Sequence, residues 1–288
     1  MAERVERVGL LYHPRVEAAQ VLARALVRVA ESCGCDTWVQ SAWEPEALSD
    51  LAALCDLLVT FGGDGTILRV ARASLLPLPD DESTRVTPPL LTVDFGTLGF
   101  LTELQPAQAE AGLRRVLEGN FWLEKRHLLR ARLIRDGEVV EEQEALNDVV
   151  LARGDGPHAI RLTLFIDGAE TAHYTADGMI IATPTGSTAY ALGAGGLIMG
   201  PDVAGLLAIP VAPHLSLARG FVLAPTSQVM LTASTQKSTV VTLDGQTTLT
   251  YEAGDQLHVE QSSAVARFVR TGPKNYFYAT LQEKFRRA

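Results

Sequence analysis

The sequence predicts an α/β N-terminal domain with a parallel sheet, then a mainly β C-terminal domain, then a C-terminal helix. Three observations predict this order. In the first part of the chain, apolar runs of strand length alternate with runs of helical spacing. Beyond about residue 124 the pattern changes to short apolar stretches interrupted by Asp-Gly pairs, the strongest short signal for a hairpin. The last stretch, 274–287, sets Tyr276, Phe277, Thr280, Leu281 and Phe285 at helix-compatible positions. A chain of 288 residues exceeds the usual reach of one hydrophobic core, so two domains are expected. The expected boundaries are 1–124, 125–270 and 271–288, with the final helix packing back on the first domain.

Taken in order, residues 8–11 read as a short buried strand and 16–30 as a helix, a first βα unit. Leu57-Leu58-Val59-Thr60-Phe61 is a second strand, which runs through Gly62-Gly63-Asp64-Gly65 into a helical stretch at 66–76. A third strand follows at 90–93, and the alternation predicts an open parallel sheet covered by helices. Residues 77–89, rich in Pro, Asp and Ser, read as a surface loop. In the second half, 128–134 leads into Asp136-Gly137, 159–166 into Asp167-Gly168, and 240–243 into Asp244-Gly245. Each is a predicted hairpin.

Composition narrows the function. Hydrophobic residues form 47% and charged residues 20% of the chain, enough to build a folded core. The net charge of −9 argues against nonspecific nucleic-acid binding, which needs Lys and Arg to neutralise phosphates. Cys33, Cys35 and Cys55 make neither a disulfide framework nor a zinc spacing, and the charged start lacks a signal-peptide pattern. A cytoplasmic location is expected. The most apolar late segment, 197–213, is broken by Pro201, Asp202, Gly205 and Pro210, so no membrane span is expected.

Three segments carry candidate chemistry. Gly62-Gly63-Asp64-Gly65-Thr66 joins a buried strand to a helix, where backbone N–H groups and the helix dipole can receive phosphate. Gly62, Gly63, Gly65 and Thr66 are the candidate phosphate contacts. A plain strand-to-helix turn capped by Asp64 is the ordinary alternative, but an anionic side chain inside a phosphate cradle points to a metal ion or a proton acceptor, hence to phosphoryl transfer. Neither a Walker-type loop nor the three-glycine dinucleotide fingerprint is present, since Leu68 stands where the third glycine would be. The second segment, 183–190, offers hydroxyls at Thr183, Thr185, Ser187 and Thr188, a neutral hydrogen-bonding loop suited to sugar, amide or phosphate oxygens, and Tyr190 for stacking on a ring. In the third, Asn147 and Asp148 interrupt an otherwise apolar strand, where a ligand's ribose hydroxyls or amide would satisfy them, an Asx turn before the strand being the alternative. His158, near the turn at 154–157, is a further candidate contact, although a surface role is the ordinary reading. The six histidines form no metal-ligand spacing, and no Gly-x-Ser-x-Gly elbow occurs.

In this order, Gly62 to Thr66, Gly96-Thr97-Leu98-Gly99-Phe100-Leu101-Thr102, Asn147-Asp148, the block at 176–196, Pro213-His214-Leu215-Ser216-Leu217-Ala218-Arg219 and Asp244-Gly245-Gln246 resemble the NAD kinase family. The first motif is shared with lipid and sphingoid kinases. Thr183-Pro184-Thr185-Gly186-Ser187-Thr188-Ala189-Tyr190 is much more specific. The resemblance implies a sandwich-like second domain, NAD and ATP as substrates, Mg²⁺ accompanying ATP, and a homodimer or homotetramer. By that resemblance Asp64 accepts the proton of the ribose 2′-hydroxyl, Asp64 and Gly65 contact NAD, and Asn147 and Asp148 hold its adenosine portion. Asp177, Thr185, Thr188, Ala189, Tyr190, Leu192, Gly193, Ala212 and Gln246 are expected to line the dinucleotide site. The chain departs from the pattern at Gly193, Asp94 and Gly220, where family members often carry Ser, Asn and Pro. An extra carboxylate at Asp94 needs a metal or hydrogen-bond partner. A lipid kinase of the same superfamily and a non-catalytic NAD-binding regulator are the rival readings, the hydroxyl-rich loop opposing the first and Asp64 the second.

Overall fold

The computed structural model describes residues 5–78, 81–96, 99–155, 158–214, 220–234 and 238–287. Of the sequence motifs, Thr97, Leu98 and residues 215–219 lie outside the described residues, as do residues 79 and 80 and the turn residues Gly156 and Pro157. The chain forms two compact units, Met1–Arg126 with Ala264–Ala288, and His127–Ser263.

The first unit opens with β1 (Arg7–Tyr12), α1 (Glu17–Ser32), β2 (Asp36–Ser41), α2 (Pro45–Ala52), β3 (Leu57–Gly62) and α3 (Asp64–Ala73). Helix α1 buries Ala19, Ala23, Leu26 and Ala30, one stripe at helical spacing. It stops where Gly34 takes a φ of 83°, a backbone state that glycine adopts without strain. There follow β4 (Leu76–Leu78), β5 (Asp81–Val86), β6 (Leu90–Asp94) and α4 (Ala109–Leu117). Strands β2, β1, β3 and β6 are parallel neighbours in that order, so the parallel sheet forms as predicted, with β2 added to it. Every residue of β3 is buried, which a strand covered by helices on both faces requires. One expectation is overturned: 77–89 is not a loop throughout, because β4 and β5 pair as an antiparallel ladder.

Strand β7 (Trp122–Arg135) leads into the second unit, which contains β8 (Glu138–Ala145), β9 (Asp148–Arg153), β10 (Ile160–Ile166), β11 (Ala169–Ala176), β12 (Gly178–Ala182), α5 (Tyr190–Gly193), β13 (Leu206–Val211), β14 (Phe221–Leu223), β15 (Val229–Ser234), β16 (Thr239–Leu243) and β17 (Thr247–Tyr251). Strand β18 (Gln256–Arg270) begins here and ends in the first unit, where it lies parallel to β6 and is followed by α6 (Tyr276–Arg287). The three Asp-Gly hairpins form as predicted. Asp136, Asp167 and Asp244 all have φ near +50°, each followed by a positive-φ glycine, the twist a tight hairpin needs.

Two sheets build a sandwich in the second unit: β14-β13-β12-β9-β16-β17, and a layer including β11-β10-β15-β18 with β7 and β8. Alternate residues of the six-stranded sheet, including Val149, Leu151, Met179, Ile181, Ala208 and Val241, share one core with Leu129, Leu162, Leu164, Leu231 and Leu257 of the other. The opposite face is covered too. Val150, Ile180, Ala182, Leu207 and Ile209 pack with Ala191 and Met199, so the segment after β12 lies over that face. Among the described residues no helix is long and apolar enough to cross a membrane. All three cysteines are free thiols.

Candidate functional site

In the first unit, the parallel register sets Gly62 opposite Asp94, bringing the turns after β3 and β6 side by side at the carboxyl ends of adjacent strands. Such strand ends are where open α/β sheets bind ligands. The turns approach backbone to backbone. A Cβ on Gly96 would stand 2.9 Å from Gly63 Cα, and one on Gly62 would stand 2.2 Å from Thr66 Oγ1. Glycine is thus required here by space, not only by conformation.

Asp64 is the first residue of α3, with Gly63 as its cap residue. Its carboxylate accepts the N–H of Phe100 at 2.9 Å and that of Leu101 at 3.2 Å. Two amides thus fix where it points. Gly63 and Asp64 are half-buried and Gly65 is exposed. Thr66 is buried, its N–H donates to Gly63 O at 2.9 Å, and its hydroxyl lies beneath Gly62 with no hydrogen-bond partner among the described residues. Asp94 has the partners that its charge demands, accepting from Gly96 N at 2.9 Å and from Gln105 Nε2 at 3.4 Å.

In the second unit, Asn147 and Asp148 do not interrupt a strand. They form the corner between β8 and β9, Asp148 opening β9. Asp244 holds this corner. Its carboxylate accepts the N–H groups of Leu146 at 3.0 Å, Asn147 at 2.7 Å and Asp148 at 3.2 Å. Thr183 holds it from the other side, donating its hydroxyl to Leu146 O at 2.6 Å and its N–H to Asn147 O at 2.9 Å. A Cβ on Gly186 would stand 2.0 Å from Asn147 O, so this glycine is what lets the loop reach the corner. With its backbone engaged, Asn147 keeps a side-chain Oδ1 that is buried and has no hydrogen-bond partner among the described residues. A buried acceptor in that state needs a donor, from a ligand or an ordered water. Asp148 is buried, and burial, reinforced by the charge of Asp244, pushes its carboxyl up to about 7.

Ser187 donates to Pro184 O at 2.6 Å and accepts the Met199 N–H at 3.0 Å, so Ser187, like Thr183, serves the loop itself. Thr185 is buried, Thr188 donates to Thr185 O at 3.2 Å, and Tyr190 is exposed and available for stacking. Ala189 and Leu192 are half-buried. Gly193 is exposed, and a Cβ there would meet nothing within 4 Å, so the absent serine side chain has room. Gly220 is different: a Cβ would stand 2.9 Å from Ala208 O.

Strand register sorts the remaining residues. Asp148, the 183–188 loop and the turn bearing Gln246 gather at one end of the six-stranded sheet, because Asp148 pairs with Ala182 and Val149 with Leu243. Asp177 and Ala212 flank the other end, one residue beyond the Gly178–Val211 pair. The length of β9 separates the ends by about 17 Å. Asp177 there binds Arg153 at 2.9 Å. Ala212 has a φ of 45°, an uncommon conformation for a residue with a side chain. His158 is exposed in the connection from β9 to β10. A cavity of about 360 Å³ is lined by Gly195, Leu197, Ile209, Pro213, Gly220 and Phe221. Sequence reasoning missed Asp244 as the clamp of the corner, and missed the Phe100 and Leu101 amides that orient Asp64.

The chain matches family models along most of its length: the ATP-NAD kinase N-terminal domain over residues 12–121 and the ATP-NAD kinase C-terminal domain over 146–271. It is 37% identical over 98% of its length to an NAD kinase of Dehalococcoides mccartyi, covering 96% of that protein. It is 36% identical to one of Chloroflexus aurantiacus, covering 99% of this chain and 100% of that one. Among solved structures, a yeast NADH kinase complexed with NADH matches at 25% identity and a TM-score of 0.83, over 98% of this chain and 88% of the other. An Archaeoglobus fulgidus NAD kinase in complex with ATP shares the fold, with a TM-score of 0.77 at 23% identity over 98% of this chain and 99% of that one. With both halves of the model matched in order and these relatives spanning the whole chain, it is an enzyme of the ATP-NAD kinase family.

Proposed function

We propose that the chain transfers the γ-phosphoryl group of ATP to the 2′-hydroxyl of the adenosine ribose of NAD, giving NADP and ADP, with Asp64 as proton acceptor. The observation that carries this reading is the Asp64 carboxylate, held by two backbone amides in a glycine turn at the start of a helix. The ribose oxygen attacks the γ-phosphorus, the bond from that phosphorus to the β–γ bridging oxygen breaks, and the hydroxyl proton passes to Asp64. A carboxylate is a weak base, with an ordinary value near 3.9, so the proton moves late, as the attacking oxygen gains P–O bonding and becomes acidic. The turn at half-buried Gly63 and exposed Gly65 sets backbone N–H groups at the positive end of the helix dipole, where phosphate oxygens bind. In the second unit, the unpartnered Asn147 Oδ1 and the Asp148 carboxyl are the groups for the adenosine portion, and Thr185, Thr188 and Tyr190 stand on the adjoining loop.

Among the described residues, no cluster of three or more His, Cys, Asp and Glu side chains is placed to hold a metal ion. An ion would come with the nucleotide, and Asp94, at the end of β6 opposite Gly62, is the protein carboxylate that would help to hold it. Mg²⁺ bound to ATP neutralises charge developing on the phosphates.

Asp64→Asn tests the assignment. It keeps size and removes charge and basicity, so turnover should fall by roughly 10²–10⁴ with NAD affinity little changed. Partial rescue by raised Mg²⁺ or another divalent ion would give the residue a metal-holding role instead. Turnover near wild type at saturating ATP, NAD and Mg²⁺ would reject both roles. Phosphorylation of diacylglycerol in preference to NAD would reject the substrate.

A further inference from the structure

We infer that Arg270 is a positioning residue for Asp64, acting through Leu101; this rests on the reading of Asp64 as proton acceptor. Arg270 ends β18 and is 1% exposed. Its Nε donates to Glu124 Oε2 at 2.9 Å, and its Nη1 to Glu103 Oε2 at 3.2 Å and to the Leu101 carbonyl at 3.3 Å. The same carbonyl accepts the Thr92 hydroxyl at 3.0 Å. Leu101 is the residue whose N–H donates to Asp64. It is therefore gripped on its carbonyl side by Arg270 and Thr92 while its amide side, with that of Phe100, aims the carboxylate.

The grip is itself braced. Glu103, two residues along, accepts the Thr271 N–H at 2.6 Å, the Thr271 hydroxyl at 2.7 Å and the Gly272 N–H at 3.2 Å. Glu124 accepts Arg126 Nη2 at 2.9 Å and the Tyr276 hydroxyl at 2.9 Å. Tyr276 opens the terminal helix, and the Arg270 guanidinium lies 4.7 Å from the centre of its ring. Two carboxylates and two guanidiniums thus meet with compensating charge. Burial alone would raise Glu124, but Arg126 and Arg270 outweigh it and hold that carboxyl below its ordinary value, so the pair stays ionised at working pH. Desolvating such ions costs several kcal/mol each, and apolar side chains fill a core as well or better. What an apolar replacement cannot supply is a directed donor to the Leu101 carbonyl. Removing that donor leaves Thr92 alone on the carbonyl and loosens the backbone whose two amides fix the proton acceptor.

The test compares Arg270→Lys, Tyr276→Phe, Asp64→Asn and the Asp64→Asn/Arg270→Lys double variant in the full chain, with ATP, NAD and Mg²⁺. A lysine keeps the charge but cannot span Glu124, Glu103 and Leu101 together. Misplacing a reacting group by about 1 Å costs about 10²-fold, so kcat of Arg270→Lys should fall about 10- to 100-fold with KM for NAD within about twofold. Tyr276→Phe removes one brace, should fold even where Arg270→Lys does not, and should lower kcat several-fold in the same selective way. Because Arg270 acts through Asp64, the double variant should be no slower than Asp64→Asn alone. A fall in kcat that multiplies in the double variant, or a rise in KM with kcat intact, would overturn the inference while leaving Asp64 its role. If Arg270→Lys cannot be folded, wild-type kcat in Tyr276→Phe overturns it. Wild-type turnover in Asp64→Asn would remove the underlying reading instead.

Discussion

Asp148→Asn should make the protein more stable, and by an amount that grows with pH. The carboxyl is 4% exposed, and burial together with the charge of Asp244 pushes it up to about 7 from an ordinary 3.8. Below the ordinary value, folded and unfolded chains both carry the proton and nothing is lost. Between it and about 7 the unfolded chain ionises while the folded one keeps its proton, so stability falls as pH rises. Above about 7 the loss is complete. Each pH unit of that interval is worth about 1.36 kcal/mol, so the full loss is at most about 4 kcal/mol. Asparagine keeps the shape of the protonated acid and cannot ionise. Urea melts of both proteins from pH 4.5 to 8.5, read as the difference at each pH, isolate this one group. The difference should climb towards pH 7 and level off above it. NAD titrations over the same range should show affinity changing through pH 7 in the wild type and not in the variant. A difference in stability that stays flat across the range would mean that Asp148 is already ionised in the folded chain, and would remove the argument.

Asn147→Ala deletes the buried unpartnered Oδ1, so NAD affinity should fall by about 1 kcal/mol or more while the melting temperature moves little; unchanged affinity in a binding titration would exclude Asn147 from the site. Gly186→Ala places a Cβ 2.0 Å from Asn147 O, and should cost about 1–3 kcal/mol in a denaturant melt and weaken NAD binding with it; a wild-type melt and titration would contradict the close approach. Gly193→Ser adds its side chain to open space, so stability should stay within about 0.5 kcal/mol while NAD binds more tightly; unchanged or weaker binding would place Gly193 away from the dinucleotide.

What could be read from the sequence were the features written locally. Strands β1, β3 and β6 announce themselves as largely apolar runs because both faces of each are covered. The three Asp-Gly turns were legible because few residue pairs accept two successive positive φ angles. Strand β2 escaped notice because most of it is only half-buried and carries no clean alternation. Strand β5 escaped because Asp81-Glu82-Ser83-Thr84 reads as solvent loop, and what makes it a strand is its pairing with β4, not its composition.

The site divides along the same line, and the division explains which residues composition can mislead about. Gly62, Gly63 and Asp64 were readable because a strand-to-helix turn confines its chemistry to a few consecutive residues. Asp244 was read as a turn residue, which it is, yet its carboxylate also organises Asn147, 97 residues earlier in the chain. Arg270 reaches Leu101 across 169 residues and Glu124 across 146. No local pattern marks such pairs, because each partner alone looks like an ordinary charged residue. The hydroxyl-rich loop makes the point from the other side. Thr183, Ser187 and Thr188 all carry hydroxyls, and only geometry reveals that they spend them on Leu146, Pro184, Met199 and Thr185. A buried hydroxyl that already donates can still accept, but a buried acceptor with no partner among the described residues gains most from a ligand donor. Asn147 Oδ1 is such an atom, and for that reason it ranks ahead of every hydroxyl in the loop as the place to begin mutagenesis.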